Sequence, residues 1–244
     1  MIKFFRKIRY DLMEKNKTGK YFKYALGEIA LVVIGILIAL QINNWNEGRK
    51  EKLQEISYLT GIKTDLEVDL ARIESGINRY HRKISRLHFL DSTFRLPGDF
   101  TPLKLTLDDI SVRNMINRGA GFIPTMGSYK VLTSNASAGL IKNTELLQMI
   151  QELYESRTVV GASLYEDIKR RQDYVGQKYA IEHKHLSAKA FFIDNPNKKE
   201  VLADFDYYYR HLRLYYLNLR NMRDLIEKIR DDIKTELNIR IFKK

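Results

Sequence analysis

Apolar residues fall along this chain in two different rhythms. From Ile29 to Leu40 twelve consecutive residues carry no charged or polar side chain, whereas beyond residue 50 apolar positions recur at alternating steps of three and four. The unbroken run lies within 24–42, which as a helix rising about 1.5 Å per residue reaches roughly 28 Å, close to the ~30 Å hydrocarbon core of a bilayer. This predicts one transmembrane helix over 24–42. Small residues do not occupy both the −1 and −3 positions of any cleavage site near Ala39, so a removable signal peptide is not expected.

The three-four alternation predicts three long amphipathic helices over 50–92, 143–184 and 197–238. Leu53, Ile56, Leu59, Ile62 and Leu66 begin the first stripe; Leu146, Ile150, Leu153 and Val160 the second; Leu202, Phe205, Tyr209 and Leu212 the third. Asn195 is placed to cap the third helix, with Pro196 in its first turn. Pro97, Pro102 and Pro124 all fall between the first two helices, in keeping with the cost of proline in a helix interior. The predicted fold is all-α: an N-terminal transmembrane helix followed by a long antiparallel three- to four-helix bundle, with an irregular distal insertion at 93–142. Short helices are expected at 107–117 and 126–134, and an extended piece at "LKLTL". An up-down-up path would return the link 185–196 to the bilayer, where Phe191, Phe192 and Ile193 would either face the interface or pack under the bundle end. It would also set Gly76 opposite Gly161 and Gly61 opposite Gly176 as close crossings. The domains are then a basic tail (1–23), the transmembrane helix (24–42) and the bundle (43–244).

Charge changes this picture by adding an orientation. Of the net +12, residues 1–23 carry +6, from eight basic side chains against Asp11 and Glu14; the other 221 residues hold 34 basic and 28 acidic side chains, an ordinary mixed surface. After the span, Arg49, Lys50 and Lys52 are balanced by Glu47, Glu51 and Glu55. The asymmetry predicts a cytoplasmic N-terminus and a periplasmic C-terminal domain, with no nucleic-acid partner. Tyr21, Phe22 and Tyr24 on one side and Trp45 on the other are candidate interfacial anchors. The tail also suits contact with anionic lipid.

Glu28 sits about one turn inside the cytoplasmic boundary. One reading makes it an interfacial residue paired with Lys20 or Lys23. Another notes that Glu28, Val32, Gly35, Ala39 and Ile42 share a helix face, with Gly35 and Ala39 forming a small-xxx-small pattern that permits close helix approach. That membrane packing face implies a homo-oligomer, and a ring of such carboxylates raises the rival function, a subunit of an ion- or proton-coupled assembly using Glu28.

Chemistry is sparse elsewhere. The chain has no cysteine, which excludes disulfides, thiolate metal sites and a cysteine nucleophile. His81 and His88 lie seven residues apart, about 10.5 Å along a helix, and His183 and His185 flank a predicted helix end, so no metal is expected. "GAGFIPTMGSYK" (119–130) lacks the lysine-serine step of a phosphate loop, and Asp108 and Asp109 read as first-turn acids. No catalytic residue and no cofactor are expected. "DYYYRHLRLYYLNLR" (206–220) places Tyr209 and Tyr216 on the core stripe and leaves Tyr207, Tyr208 and Tyr215 as a candidate contact surface for a glycan, a peptide or another subunit.

The run "GKYFKYALGEIALVVIGILIALQINNWNE" resembles the opening of a family of uncharacterised bacterial single-span envelope proteins. In that family a basic tail, a Gly-Glu-Ile entry and an Ile-Asn-Asn-Trp-Asn exit recur. The resemblance implies an inner-membrane protein of unknown function and supplies no catalytic residues. Together these features lead to the expectation of a membrane-anchored, non-enzymatic interaction, scaffold or ligand-sensing module. Its protein partner would engage the basic tail or the distal tip. An enzyme would instead need a polar pocket within 93–142.

Overall fold

The computed structural model describes residue 10 and residues 18–242 except 117–118, 135–136 and 182–186, with the backbone alone for 18–21, 24, 241 and 242. Most of the basic tail (1–9 and 11–17), the side chains of Tyr21 and Tyr24, and His183 and His185 therefore lie outside what is described. The fold is 83% helical, with no strand among the described residues. Its six α-helices are α1 (Thr18–Leu90), α2 (Val112–Ile116), α3 (Gly127–Ser134), α4 (Thr144–Gln151), α5 (Thr158–Tyr179) and α6 (Lys198–Phe242). The chain divides into two units, Met1–Gln54 and Glu55–Lys244. The "LKLTL" stretch joins no sheet: only Leu107 is regular, opening a 3-10 turn through Asp109.

The first unit is the forward part of α1. Its helix carries an 18-residue window of mean hydropathy 2.4, none of it buried. Leu31, Val32, Leu37 and Ile42 are all more than half exposed. One such helix is long and apolar enough to cross a membrane. The sequence pattern separates this segment from the helix beginning at residue 50, yet α1 runs through both without interruption. No proline lies between them, and Asn43, Asn44, Asn46 and Gly48, each costing a helix about 1 kcal/mol or less, do not break it.

The second unit is an antiparallel bundle with an unexpected second leg. The later part of α1 and α6 pair antiparallel: Tyr80 packs edge-on to Tyr215 with ring centroids 4.8 Å apart, and Arg240 Nε lies 3.1 Å from Glu55. α4 and α5 also run antiparallel to α6. The Asn143 amide donates to Glu236 at 2.7 Å, and Lys178 reaches Asp204 at 2.7 Å. α1 and α4–α5 are consequently parallel, which corrects the up-down-up path. What returns between them is the insertion. Residues 91–116 fold over the Leu90 end, where Phe94 meets Tyr209 at 4.7 Å. Residues 119–134 and 137–142 then descend along α1, from Arg79, whose guanidinium donates to the Ala120 carbonyl, to Glu55, which accepts from the Lys142 amide. The insertion is thus not confined to a tip.

This path overturns the glycine crossings. Gly76 abuts Leu219 and Gly161 abuts Asn218 and Met222, both on α6; Gly61 abuts Ser128, and Gly176 faces open space. It also relocates the link. Ser187 bridges Ser111, so the link lies at the Leu90 end, opposite Glu55. Phe191 and Phe192 are buried there, the latter 4.8 Å from the Phe205 ring, while Ile193 stays exposed. Packing under the bundle end is therefore the arrangement found. α6 starts at Lys198, not at Pro196, because Asn195 accepts from the Asn197 amide at 2.9 Å in a turn that delays the helix.

α4 and α5 are joined by a π turn, Glu152–Arg157. One extra residue per turn advances the buried face by one position. Leu153 and Tyr154 are buried, and the next core position is Gly161, with Val159 62% and Val160 49% exposed. The straight helical period had put Val160 in the core. The helix ends at Tyr179, not 184, because Ala180 turns left-handed at φ 48°, ψ 38°.

This register has a direct test. A Cβ on Gly161 would meet the Asn218 amide at 2.9 Å, so Gly161→Leu is expected to destabilise the bundle by about 1–3 kcal/mol through overpacking. Val160→Lys is expected to stay within ~0.5 kcal/mol. Thermal denaturation of both variants reads the difference, and the opposite ranking would restore the unshifted helix.

Candidate functional site

The descending leg has almost no backbone hydrogen bonding of its own between Gly119 and Met126, so its amides and carbonyls need other partners. Helix side chains supply them. Tyr165 donates to the Gly119 carbonyl. Arg79 donates to the Ala120 carbonyl at 3.3 Å, and the Tyr215 hydroxyl accepts from the Phe122 amide at 2.8 Å. Lower down, both carboxylate oxygens of Asp69 accept from the Thr125 amide at 3.0 and 2.8 Å. Asp69 also takes the Thr125 hydroxyl at 2.8 Å. One turn earlier Asp65 accepts from the Ser128 amide at 2.9 Å. Two carboxylates of α1 therefore cap the start of α3 from outside, a favourable place for negative charge.

Asp69 is 1% exposed. Burial raises its carboxyl pKa above the ordinary range, against the lowering effect of the Thr125 hydrogen bonds and of Arg72. Burial likewise pushes the phenol of Tyr215 up to about 12 and that of Tyr209, which donates to the Arg95 carbonyl, up to about 12. Lys83, one turn beyond Arg79, is 3% exposed. Its ammonium lies 5.7 Å from the Tyr80 ring centre. Burial, with the charges of Arg79 and Arg86 adding, brings it down to about 8.

Between α1, the 119–123 strip and α6 lies a cleft of 510 Å³. Ala71, Ser75, Gly76, Ala120 and Gly121 line its walls, where larger side chains would fill it. Gly121 is required by its neighbour as well, since a Cβ there would come within 2.7 Å of the Tyr165 ring. Tyr80, Phe122, Tyr215 and Leu219 add an apolar lining, and Arg72 and Arg79 bring two guanidiniums. Arg72 lies 3.7 Å from Asp69. The Tyr80 hydroxyl is buried without a hydrogen-bond partner among the described residues.

The residues singled out by sequence fare differently. Val32, Gly35 and Ala39 are exposed, and Gly35 has open space beside it. Glu28 is half-buried. Phe22 and Trp45 are exposed at 68% and 67%, and the Asn43 amide donates to Glu47 at 3.0 Å beyond the apolar run. The contact surface needs correction: Tyr208 and Tyr215 are buried, and only Tyr207 is exposed. α6 is covered on three sides, so residues flanking its main stripe meet the insertion. The Tyr208 hydroxyl donates to the Met115 carbonyl at 2.9 Å and accepts from Gln172 at 2.9 Å. Tyr207 instead stacks at the surface, with Arg171 4.7 Å from its ring centre. No group of three metal-ligating side chains comes together among the described residues. Asp69 was passed over in the sequence, although an acid spaced between Leu66 and Ile73 on the core stripe was the available signal.

The architecture defines an all-helical chain in which one apolar helix fit to cross a bilayer leads into a packed bundle with a central cleft. The chain belongs to a family of unknown function (DUF6090), whose model matches residues 28–209. No curated protein and no solved structure matches it.

Two outcomes test the site. Asp69→Ala would leave the Thr125 amide and hydroxyl without their acceptor and is expected to lower stability by roughly 2–4 kcal/mol in chemical denaturation. For Lys83 the folded value, about 8, lies below the ordinary 10.5. Across that window the unfolded chain holds the proton that the folded chain has lost, so this group's contribution to stability rises with pH. Lys83→Met is therefore expected to raise the Tm at pH 7, with the gain shrinking towards pH 10. A gain independent of pH would show that Lys83 is not desolvated.

Proposed function

We propose that the protein is a single-pass component of the bacterial inner membrane whose bundle stands in the periplasm as a non-enzymatic interaction, scaffold or ligand-sensing module. The observation that carries this reading is the exposed apolar window of α1. Eleven large aliphatic side chains from Leu26 to Ile42 are exposed, and left in water each would forgo about 1.5–3 kcal/mol of transfer free energy, whereas lipid removes that cost. The +6 of residues 1–23 against the balanced charges after the span supports a cytoplasmic N-terminus. Open space beside Gly35 supports a homo-oligomer packed through the Glu28, Val32, Gly35 and Ala39 face. A signal arising in the bundle would pass to a protein partner engaging the basic tail.

Two reporters fused after Lys244 test the placement. A phosphatase that is active only in the periplasm is expected to be active, and a fluorescent protein that matures only in the cytoplasm is expected to be dark, with both fusions in the detergent-extracted membrane fraction. The reverse pattern, or recovery of the chain in the soluble fraction, would sink the reading.

A further inference from the structure

We infer that the 510 Å³ cleft between α1, the 119–123 strip and α6 binds a small organic monocarboxylate with an apolar, ring-sized body. The inference deepens the ligand-sensing reading and rests on it for its purpose; binding in the cleft does not depend on which side of the membrane the bundle occupies. Its volume is within the usual span of small-molecule sites, a few hundred to a thousand Å³, and such sites are apolar with a few convergent polar groups.

The lining defines the charge. It holds Arg72 and Arg79 and no carboxylate. Arg72 is partly balanced by Asp69 at 3.7 Å. Among the described residues Arg79 donates one hydrogen bond, to the Ala120 carbonyl at 3.3 Å. A guanidinium has five donors in a planar fork suited to a carboxylate. With one arginine offset by Asp69 and the other bonded to a neutral carbonyl among the described residues, the cleft is matched to a single negative charge. A phosphate dianion would lack a second counter-charge.

A second, independent observation points the same way. The side chain of Tyr80, which lines the cleft, has 0% exposure, and its hydroxyl has no hydrogen-bond partner among the described residues. Buried hydroxyls are ordinarily bonded, and burial pushes this phenol well above its usual pKa, so it remains a donor. Solvent does not reach this hydroxyl in the unliganded form, so on binding the Tyr80 ring would turn towards the cleft, where a ligand oxygen beside Arg79 would supply the acceptor. Phe122, Tyr215 and Leu219 would take the apolar body, and Ile123, 78% exposed at the edge of the lining, would lose contact with water on closure over it.

The test uses the full chain in non-ionic detergent and isothermal titration calorimetry with 3-phenylpropanoate, 3-phenylpropan-1-ol and inorganic phosphate as probes. Saturable one-to-one binding of 3-phenylpropanoate is expected, with the alcohol and phosphate each at least about tenfold weaker, because a charge-assisted hydrogen bond is worth that much or more. Arg79→Gln is expected to weaken binding about tenfold or more, and Ser75→Leu to abolish it by filling the wall. Tyr80→Phe is expected to weaken binding while leaving the Tm of the unliganded protein unchanged or raised. No saturable binding, equal binding of the alcohol, or Arg79→Gln and Ser75→Leu variants that keep the wild-type circular dichroism spectrum and bind as tightly as wild type would overturn the inference. A lower unliganded Tm for Tyr80→Phe would also overturn it, by showing that the hydroxyl is already engaged. Because the detergent titration reads no orientation, it can fail while the reporter fusions succeed, and the reverse.

Discussion

An irregular leg buried in a helical bundle must have its peptide groups bonded by something other than its own regular structure, and the rest of the second unit is arranged around that need. An amide or carbonyl buried without a partner costs about 1–3 kcal/mol, so several in a row would unmake a fold of ordinary stability. Here they are met one by one from the flanking helices. His81 and Ser85 reach Thr101 and Leu103, Tyr208 and Tyr215 serve Met115 and Phe122, and Asp69, Asp65 and Glu55 serve Thr125, Ser128 and Lys142. The tyrosine-rich stretch of α6 has its explanation in this arrangement. Each of these phenols combines apolar bulk with a polar tip, which suits a helix that must both fill a core and reach an unpaired backbone.

The same arrangement accounts for the cleft. Where the leg is extended, at 119–125, its backbone comes close to α1 and α5, and Gly119 and Gly121 leave room for Arg79 and Tyr165. Small residues on both sides then leave a gap that the larger side chains of α6 border without filling. Irregular backbone and cavity are two outcomes of one local shortage of side-chain volume.

The helices and their faces were legible because burial on one side imposes a period. The core positions read along α1 and α6 are buried from Leu59 to Leu87, Leu70 partly, and from Phe205 to Ile233, while Leu53 at the start of the first stripe is exposed. The path of the chain was not legible, because three stripes of equal length satisfy a parallel or an antiparallel partner equally well. What decided it was the 119–142 segment acting as a return leg, which has no periodic signature. The π turn escaped for a related reason: Val160 is apolar and lies on the stripe of an unbroken helix, which predicted it inside, while the buried position belongs to Gly161, which has no side chain to announce it. Tyr208 and Tyr215 were read as surface residues because the stripe predicts a helix covered on one side only, and α6 is covered on three.

The pairing of the first and last helices has a consequence for biogenesis. Arg240 closes on Glu55 across 185 residues of sequence, so the apolar stripe of α1 has no lasting cover until the final turns of α6 have been made. Long-range closure of this kind slows folding and leaves greasy surface open to aggregation in the meantime. A nascent chain of this protein therefore emerges from the ribosome with its first helix complete and its core unfinished, a state in which chaperone protection matters most.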